Sequence, residues 1–249
     1  MGINIKSERE IALMRQAGQI VATVLAILVK EVKPGLKTKE LDAIAEREIR
    51  KLGGIPSFKG YRGFPASLCV SVNDEIVHGI PGDRVLKEGD IVSLDLGAIY
   101  QGYQGDAART VGVGVVSKKA EALMQATEGA LKTGIQMARV QNRLGDISAA
   151  VQRYAESRGF SVVREYTGHG IGSQMHEDPL IPNFGTPGTG PMLKKGMVLA
   201  IEPMLNIGDW RTRVSSNKWT VSTIDGSLSA HFENTIVITD GDPEVLTSV

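Results

Sequence analysis

The sequence predicts an α+β fold made of two similar halves, each with two helices followed by antiparallel strands. Apolar residues first recur at helical spacing and then alternate as in half-buried strands. The same order of elements occurs twice along the 249 residues, and hydrophobic residues make up 42% of the chain, enough for a sizeable core. We therefore expect helices packed on one side of a curved antiparallel sheet. A single domain is expected over residues 1–249, with halves near 1–116 and 117–249.

The first half begins with a capping-box pattern, which predicts the start of a helix. Ser7 is followed three residues later by Glu10, and apolar residues then recur at helical spacing up to the Pro34-Gly35 turn. A second helix is expected from Thr38 to Gly53. Alternating apolar residues predict strands at 67–72, 76–78, 91–99 and 107–116, with a glycine-rich turn at 102–105.

The second half repeats this order. Helices are expected at 118–138 and 147–157, the second ending before Gly159. Strands are expected near 160–164, 197–205, 219–223 and 230–239. No low-complexity linker separates the two halves, which favours one compact domain.

Composition excludes several classes of protein. The chain carries 28 Lys+Arg and 28 Asp+Glu, and this zero net charge gives no support to a nucleic-acid substrate. Its single Cys excludes an internal disulfide framework and a Cys-rich zinc site. A nucleophile elbow, a P-loop and a His-Glu-x-x-His motif are all missing from the sequence. The N-terminus has no targeting pattern and the apolar stretch 20–29 is too short for a membrane span, so we expect a cytoplasmic protein without membrane contact.

Four carboxylates lie in unusually apolar surroundings. Asp95 and Glu202 lie inside apolar strands, while Asp106 and Glu233 stand at the start of two others. Burying a carboxylate is costly unless it is paired or bound to a metal. Each acid alone is compatible with a structural salt bridge. Together with His169, which lies between two glycines, they form an oxygen-rich set that suits a pair of divalent cations such as Co, Mn, Fe, Zn or Ni.

At these residues the chain resembles bacterial type I methionine aminopeptidases, over nearly its whole length. The resemblance rests on the Asp95/Asp106 pair and on the motifs Gly168-His169-Gly170-Ile171-Gly172, Met175-His176-Glu177-Asp178-Pro179, Ile201-Glu202-Pro203-Met204 and His231-Phe232-Glu233. It implies the pita-bread fold, a pseudo-twofold α+β architecture. It also implies a metallo-aminopeptidase that removes the initiator methionine from nascent polypeptides when the second residue is small.

The resemblance assigns roles to individual residues. It implies five ligands for two divalent ions: Asp95, Asp106, His169, Glu202 and Glu233. Of these, Asp106 and Glu233 bridge both ions, and Glu202 also shuttles protons. His176 hydrogen-bonds the scissile carbonyl and its developing oxyanion, and His78 contacts the scissile amide or the following residue. The family expectation is a monomer.

An apolar methionine pocket is implied less directly. The resemblance places its lining at Tyr61, Phe64, Cys69 and Trp219, with Phe58 and Met175 as further members, although each is also compatible with ordinary core packing. A monovalent cation is expected near Asn73 and Ser229, as in some relatives. If two divalent ions neutralise four acids, 28 basic groups face 24 remaining acids, which favours a transient contact with ribosomes.

Three positions depart from the family pattern, and three alternatives remain open. Ala200 replaces a common Thr, Met175 replaces an aromatic and Asn234 replaces a common His, which puts substrate range and turnover in question.

An Xaa-Pro aminopeptidase shares the fold and metal set but has a long extra N-terminal domain, for which there is no room before Asp95. A second alternative is a non-catalytic, peptide-binding member of the same fold, but such members typically lose metal ligands and this chain keeps all five. A type II methionine aminopeptidase is disfavoured because only 25 residues separate His176 from Glu202.

Overall fold

The structure, a computed structural model, describes residues 2–248, in which two α-helices followed by strands occur twice in succession. The helices are α1 (Glu8–Glu31), α2 (Thr38–Lys51), α3 (Lys118–Met137) and α4 (Leu144–Glu156), with a short 3-10 helix at Tyr61–Gly63. The strands are β1 (Ile55–Pro56), β2 (Cys69–Val72), β3 (Glu75–Val77), β4 (Ile91–Tyr100), β5 (Tyr103–Gly112), β6 (Ser161–Val162), β7 (Thr167–Gly170), β8 (Glu177–Pro182), β9 (Val198–Ile201), β10 (Met204–Asn206), β11 (Thr212–Val214), β12 (Val221–Thr223), β13 (Ser229–His231), β14 (Asn234–Val237) and β15 (Glu244–Val245).

The first helix starts where the sequence predicts. The Ser7 hydroxyl accepts a hydrogen bond from the Glu10 backbone N–H, and the Glu10 carboxylate accepts one from the Ser7 backbone N–H at 2.7 Å. Among the described residues, α1 is the one helix long and apolar enough to cross a membrane. Its apolar face, which includes Met14, Val21 and Leu28, is instead buried against β4, β5 and α2.

The hairpin of β4 and β5 differs from the sequence prediction. Its turn is the dipeptide Gln101-Gly102, with φ of 47° and 85°, which matches the two-residue turns that join antiparallel strands. The return strand therefore covers Tyr103–Gly112, and the predictions of a turn at 102–105 and a strand at 107–116 were wrong. Within β5, residue 105 is glycine because α1 packs directly against it: a Cβ there would lie 2.8 Å from the Gly18 nitrogen of α1.

All paired strands in the described chain run antiparallel. In the first half, β4 pairs with β5 along one edge and with β2 and β1 along the other. The second half contributes a five-stranded sheet in the order β15-β14-β9-β7-β8 and a three-stranded sheet β13-β10-β6, while β11-β12-β3 links the halves. Helices α1 and α2 pack on the sheet of the first half, and helices α3 and α4 pack on the sheets of the second half. The predicted α+β class is confirmed.

Two predicted strands of the second half are interrupted. The span 197–205 divides into β9 and β10 at Glu202-Pro203, because proline has no N–H for a sheet ladder. The span 230–239 divides into β13 and β14 at Phe232-Glu233, and the span 219–223 shortens to β12. Strands β7 and β8 were not predicted. Two of the four residues in β7 are glycine and β8 contains two prolines, and both residue types are uncommon in strands.

The two halves meet along β5. The Glu233 N–H donates to the Ala108 carbonyl at 3.0 Å, and the Ala108 N–H donates in return at 3.4 Å. Further along, the Thr110 hydroxyl donates to the His231 carbonyl at 2.7 Å and accepts from the His231 N–H at 2.9 Å. The segment that carries Glu233 is therefore fixed directly to the strand that carries Asp106.

Candidate metal centre

Asp95 and Asp106 reach the same side of the first sheet through strand register. Asp106 of β5 pairs with Gly97 of β4, two residues from Asp95, so both carboxylates emerge on one face. Asp95 is 9% exposed and Asp106 is 4% exposed. The sequence placed Asp106 at a strand start, whereas it lies in the middle of β5.

Glu202 and Glu233 occupy the matching ends of paired strands in the second half. Ile201 pairs with Asn234, so Glu202 directly follows β9 where Glu233 directly precedes β14. His169 of β7 lies opposite Ala200 on the other edge of β9. The breaks at Pro203 and Phe232 thus free the two glutamates from the ladder and direct them toward the seam between the halves.

Asp106 is held in place by Thr235. The Thr235 hydroxyl accepts from the Asp106 N–H at 3.0 Å and donates to the Asp106 carbonyl at 2.8 Å, and the Thr235 side chain is fully buried. One hydroxyl therefore satisfies both backbone groups of a buried acid across the seam.

The electrostatics of the four acids favour either protonation or a positive partner. Burial raises the pKa of Asp95 to about 7. Burial, followed by repulsion from the neighbouring carboxylates, holds the pKa values of Asp106, Glu202 and Glu233 well above the ordinary range. Divalent cations reverse this effect, since their charge stabilises the ionised form of each carboxylate.

His169 has the tautomer that a metal ligand needs. Its Nδ1 lies 2.9 Å from the Gly170 carbonyl oxygen, which only accepts, so the proton is on Nδ1 and the lone pair is on Nε2. Nε2 lies 3.6 Å from Glu202 Oε1. Burial, with a contribution from His176, lowers the pKa of His169 to about 3, which keeps the ring neutral.

The donor atoms fit divalent cations. Asp95 Oδ1, Asp106 Oδ1 and Glu233 Oε1 are buried and have no hydrogen-bond partner among the described residues. Ligand atoms of Asp106, His169 and Glu233 lie within 4.8 Å of one another. Carboxylate oxygens with one or more imidazoles are a donor set that accepts Mn, Fe, Co, Ni and Zn.

A second group of donor atoms includes a residue that sequence reasoning did not assign to the site. Atoms of Glu202, His231 and Glu233 also lie within 4.8 Å of one another. Burial, with the charges of His78 and Arg109 adding to it, lowers the pKa of His231 to about 3. The signal in the sequence is its position two residues before Glu233.

The four acids and His169 line one end of a cavity of about 160 Å³. The six residues that sequence reasoning assigned to a methionine pocket all line this cavity: Phe58, Tyr61, Phe64, Cys69, Met175 and Trp219. Arg62 also lines it and was missed. The volume is below the 300–1,000 Å³ or so of drug-sized sites, so the cavity is of a size for a single side chain. Burial and the nearby Asp95 raise the pKa of the Cys69 thiol, which makes it a small apolar wall residue.

His176 lines the same cavity as the four acids and His169. Tyr61 Oη lies 2.8 Å from His176 Nδ1, and the two rings stack at 5.5 Å. The His176 ring lies 4.3 Å from the His169 ring. Burial and the Arg62 charge lower the pKa of His176, so the imidazole is neutral at pH 7.

His78 enters the cavity from a strained turn. It follows β3 with φ of 60°, a left-handed conformation that residues other than glycine rarely adopt. Its ring meets Trp219 and Tyr166 edge-on, with centroids 6.3 and 5.9 Å away. Burial and the adjacent His176 lower its pKa to about 4.

Asn73 and Ser229 are brought into contact by their backbones. The Ser229 N–H donates to the Asn73 carbonyl at 2.9 Å. The Asn73 side-chain amide donates a hydrogen bond to Asp90 at 2.8 Å, and its oxygen accepts one from the Ile91 N–H at 3.0 Å.

Of the three positions that depart from the family pattern, Ala200 is buried opposite His169, Met175 lines the cavity and Asn234 accepts hydrogen bonds from Arg109 and Thr247.

Comparison with known proteins identifies the family. The metallopeptidase family M24 profile matches residues 12–240. A methionine aminopeptidase of Clostridium acetobutylicum is 56% identical over 98% of both chains. The structure of a methionine aminopeptidase from Thermotoga maritima superposes with a TM-score of 0.98 at 48% identity over the full length of both chains. A prolidase from Pyrococcus furiosus shares the fold, with a TM-score of 0.81 at 24% identity over 98% of this chain and 65% of its own.

The resemblance and the pita-bread architecture expected from the sequence are thereby confirmed. The chain belongs to metallopeptidase family M24, among the bacterial type I methionine aminopeptidases.

Proposed function

We propose that this chain removes the N-terminal methionine from nascent proteins and peptides whose second residue is small. The observation that carries the proposal is a cluster of three buried carboxylates, the largely buried Glu202 and His169 in the lining of a cavity sized for one side chain. The cluster supplies hydrolytic chemistry, and the cavity supplies selectivity for a single apolar residue.

We assign Asp95, Asp106, His169, Glu202 and Glu233 as ligands of two divalent ions, with Asp106 and Glu233 shared between them. The hydrogen bonds that join the two halves at these acids support the shared role. When bound, the ions would polarise the scissile carbonyl and lower the pKa of the attacking water. The carboxylates would hold the ions at the seam, and the surrounding apolar residues exclude bulk water.

Glu202 is the proton carrier in this scheme. It keeps 13% of its side chain exposed, against 2% for Glu233, so it faces the cavity while remaining in the cluster. A carboxylate beside the attacking water takes a proton from it and returns it to the leaving amine.

His176 acts on the substrate carbonyl. When the Tyr61 hydroxyl donates to Nδ1, the His176 proton lies on Nε2, which then donates to the carbonyl oxygen and to the oxyanion that develops there. A neutral imidazole suits this role because it donates without adding a positive charge beside the cations. His78, which also lines the cavity, is assigned to contact the scissile amide.

The aromatic lining selects the substrate. An unbranched thioether packs favourably against aromatic edges, and Tyr61, Phe64 and Trp219 supply them. The free α-amine approaches the carboxylates, so cleavage is restricted to the first residue.

The decisive assay measures free Met released from Met-Gly-Met-Met by purified protein supplied with Mn or Co. We expect release by the wild type and its loss in Glu202→Gln, which keeps the side-chain shape without the carboxylate. No release with any of several divalent metals would contradict the proposal. Faster cleavage of Xaa-Pro substrates would instead favour the alternative aminopeptidase, and metal binding without any cleavage would favour a non-catalytic peptide binder.

Further parts of the proposal concern the protein as a whole. We propose one catalytic domain over residues 1–249, monomeric and cytoplasmic, with a monovalent cation near Asn73 and Ser229. A mildly basic surface favours transient contact with ribosomes. Salt-sensitive co-sedimentation with ribosomes is the expected result, and absent or salt-insensitive co-sedimentation would remove that contact from the proposal.

A further inference from the structure

His231 is a buried imidazole that the five-ligand assignment leaves without a role. It ends β13, is 1% exposed and pairs with Met204 of β10. Neither ring nitrogen has a hydrogen-bond partner among the described residues. A neutral imidazole carries one donor and one acceptor, and leaving both unsatisfied in the interior is costly. The Nε2 atom of this ring therefore has room for a partner that hydrogen bonding among the described residues does not provide.

The backbone of His231 is anchored beside the carboxylate cluster. Thr110 fixes both the N–H and the carbonyl of His231, at 2.9 and 2.7 Å. In this position Nε2 lies 3.6 Å from Glu202 Oε2 and 3.9 Å from Glu233 Oε2. Both distances are longer than a hydrogen bond.

These spacings match those of atoms that share a cation. Ligand atoms bound at about 2.1 Å around one tetrahedral ion lie about 3.4 Å apart. His169 provides an internal comparison, since its Nε2 lies at the same 3.6 Å from the other oxygen of Glu202. The Glu202 carboxylate thus has an imidazole nitrogen facing each of its two oxygens.

We propose that His231 Nε2 is a sixth protein ligand, bound to a cation that Glu202 and Glu233 also hold. This inference rests on the proposed two-metal site and adds a second imidazole to it. Because imidazole favours Co, Ni and Zn over Mn and Mg, the additional nitrogen shifts the metal preference of this chain toward those ions.

Calorimetric titration of Co²⁺ into the metal-free protein tests the assignment. The variant His231→Gln keeps an amide donor near the Nε2 position but removes the imidazole. His78→Gln is the matched control, since it removes an imidazole from the same cavity at a position outside the ligand cluster. We expect His231→Gln to weaken one of two binding steps at least about tenfold and to change the visible absorption of the bound Co²⁺. His78→Gln should bind and absorb like the wild type.

Binding and absorption by His231→Gln that equal those of the wild type would overturn the assignment and leave a hydrogen-bonding role. X-ray absorption of the Co²⁺-loaded wild type gives an answer even if the variant does not fold: scattering from two imidazoles supports the proposal and from one contradicts it. Failure of the wild type to bind any divalent ion would contradict the two-metal site itself, which separates the two outcomes.

Discussion

Replacing Thr235 tests how the two halves position the bridging acids. Thr235→Val keeps the branched shape of the side chain but removes the hydroxyl that bonds both backbone groups of Asp106. Thr235→Ser keeps the hydroxyl and loses one methyl group. The pair of variants therefore separates the hydrogen bonds from the packing.

The expected magnitudes follow from burial. Thr235 is fully buried, so the valine variant leaves the Asp106 N–H and C=O without partners. An unsatisfied buried group costs about 1–3 kcal/mol, and with partial relaxation we expect a total loss of about 3 kcal/mol in the free energy of unfolding. The serine variant creates only a methyl-sized cavity and should lose about 1 kcal/mol.

Urea unfolding of the metal-free proteins measures both values by linear extrapolation. The difference of about 2 kcal/mol corresponds to a folding equilibrium about 30-fold less favourable in the valine variant than in the serine variant. We also expect Thr235→Val to bind divalent metal more weakly than Thr235→Ser, because the Asp106 backbone is released. Equal stability of the two variants would refute the role given to the hydroxyl.

Three further predictions concern the helix cap, the catalytic histidine and the pocket. Hydrogen bonds at the start of α1 lower the pKa of Glu10 from its usual 4.5 to about 2, so its contribution to stability is complete above pH 4.5 and is lost as the pH falls to 2; the melting temperature of Glu10→Gln should lie below that of the wild type at pH 7 and converge with it near pH 2. Tyr61→Phe removes the hydrogen bond to His176 and should lower kcat/KM for Met-Gly peptides by about 3- to 10-fold, whereas an unchanged value would show that Tyr61 does not orient the ring. Gly97→Ala places a Cβ 2.8 Å from Phe58 Cε1, and this crowding should raise KM for methionine substrates by tenfold or so. As a control for folding, the melting temperature of the metal-free variant should lie within a few degrees of that of the wild type.

Local signals in the sequence were sufficient for much of the fold. The capping box at Ser7 and Glu10 depends on residues three apart, and the helix begins there. The break at Phe232 depends on tertiary contacts, since the Glu233 backbone bonds Ala108 of β5, whereas the break at Glu202 follows from Pro203, a local signal. Apolar periodicity continues through both breaks, so pattern alone predicts unbroken strands.

The candidate site was predictable where chemistry conflicts with surroundings. An acid such as Asp95 within an apolar strand is conspicuous in sequence because its burial is costly. Arg62 and His231 were missed because neither conflicts with its neighbours in the chain. Their positions arise from the 3-10 turn that brings Arg62 to the cavity and from the Thr110 contact that anchors the backbone of His231.

Anomalous X-ray scattering from crystals of the Co²⁺-loaded protein tests the central claim most directly, because it locates the ions independently of activity. The claim is that acids from both halves of the chain converge on two divalent ions at the seam. The predicted result is two peaks between the β4–β5 hairpin and the β9–β14 pair, within coordination distance of Asp106 and Glu233. Ions bound elsewhere, or a single ion with no contact to Glu233, would contradict it.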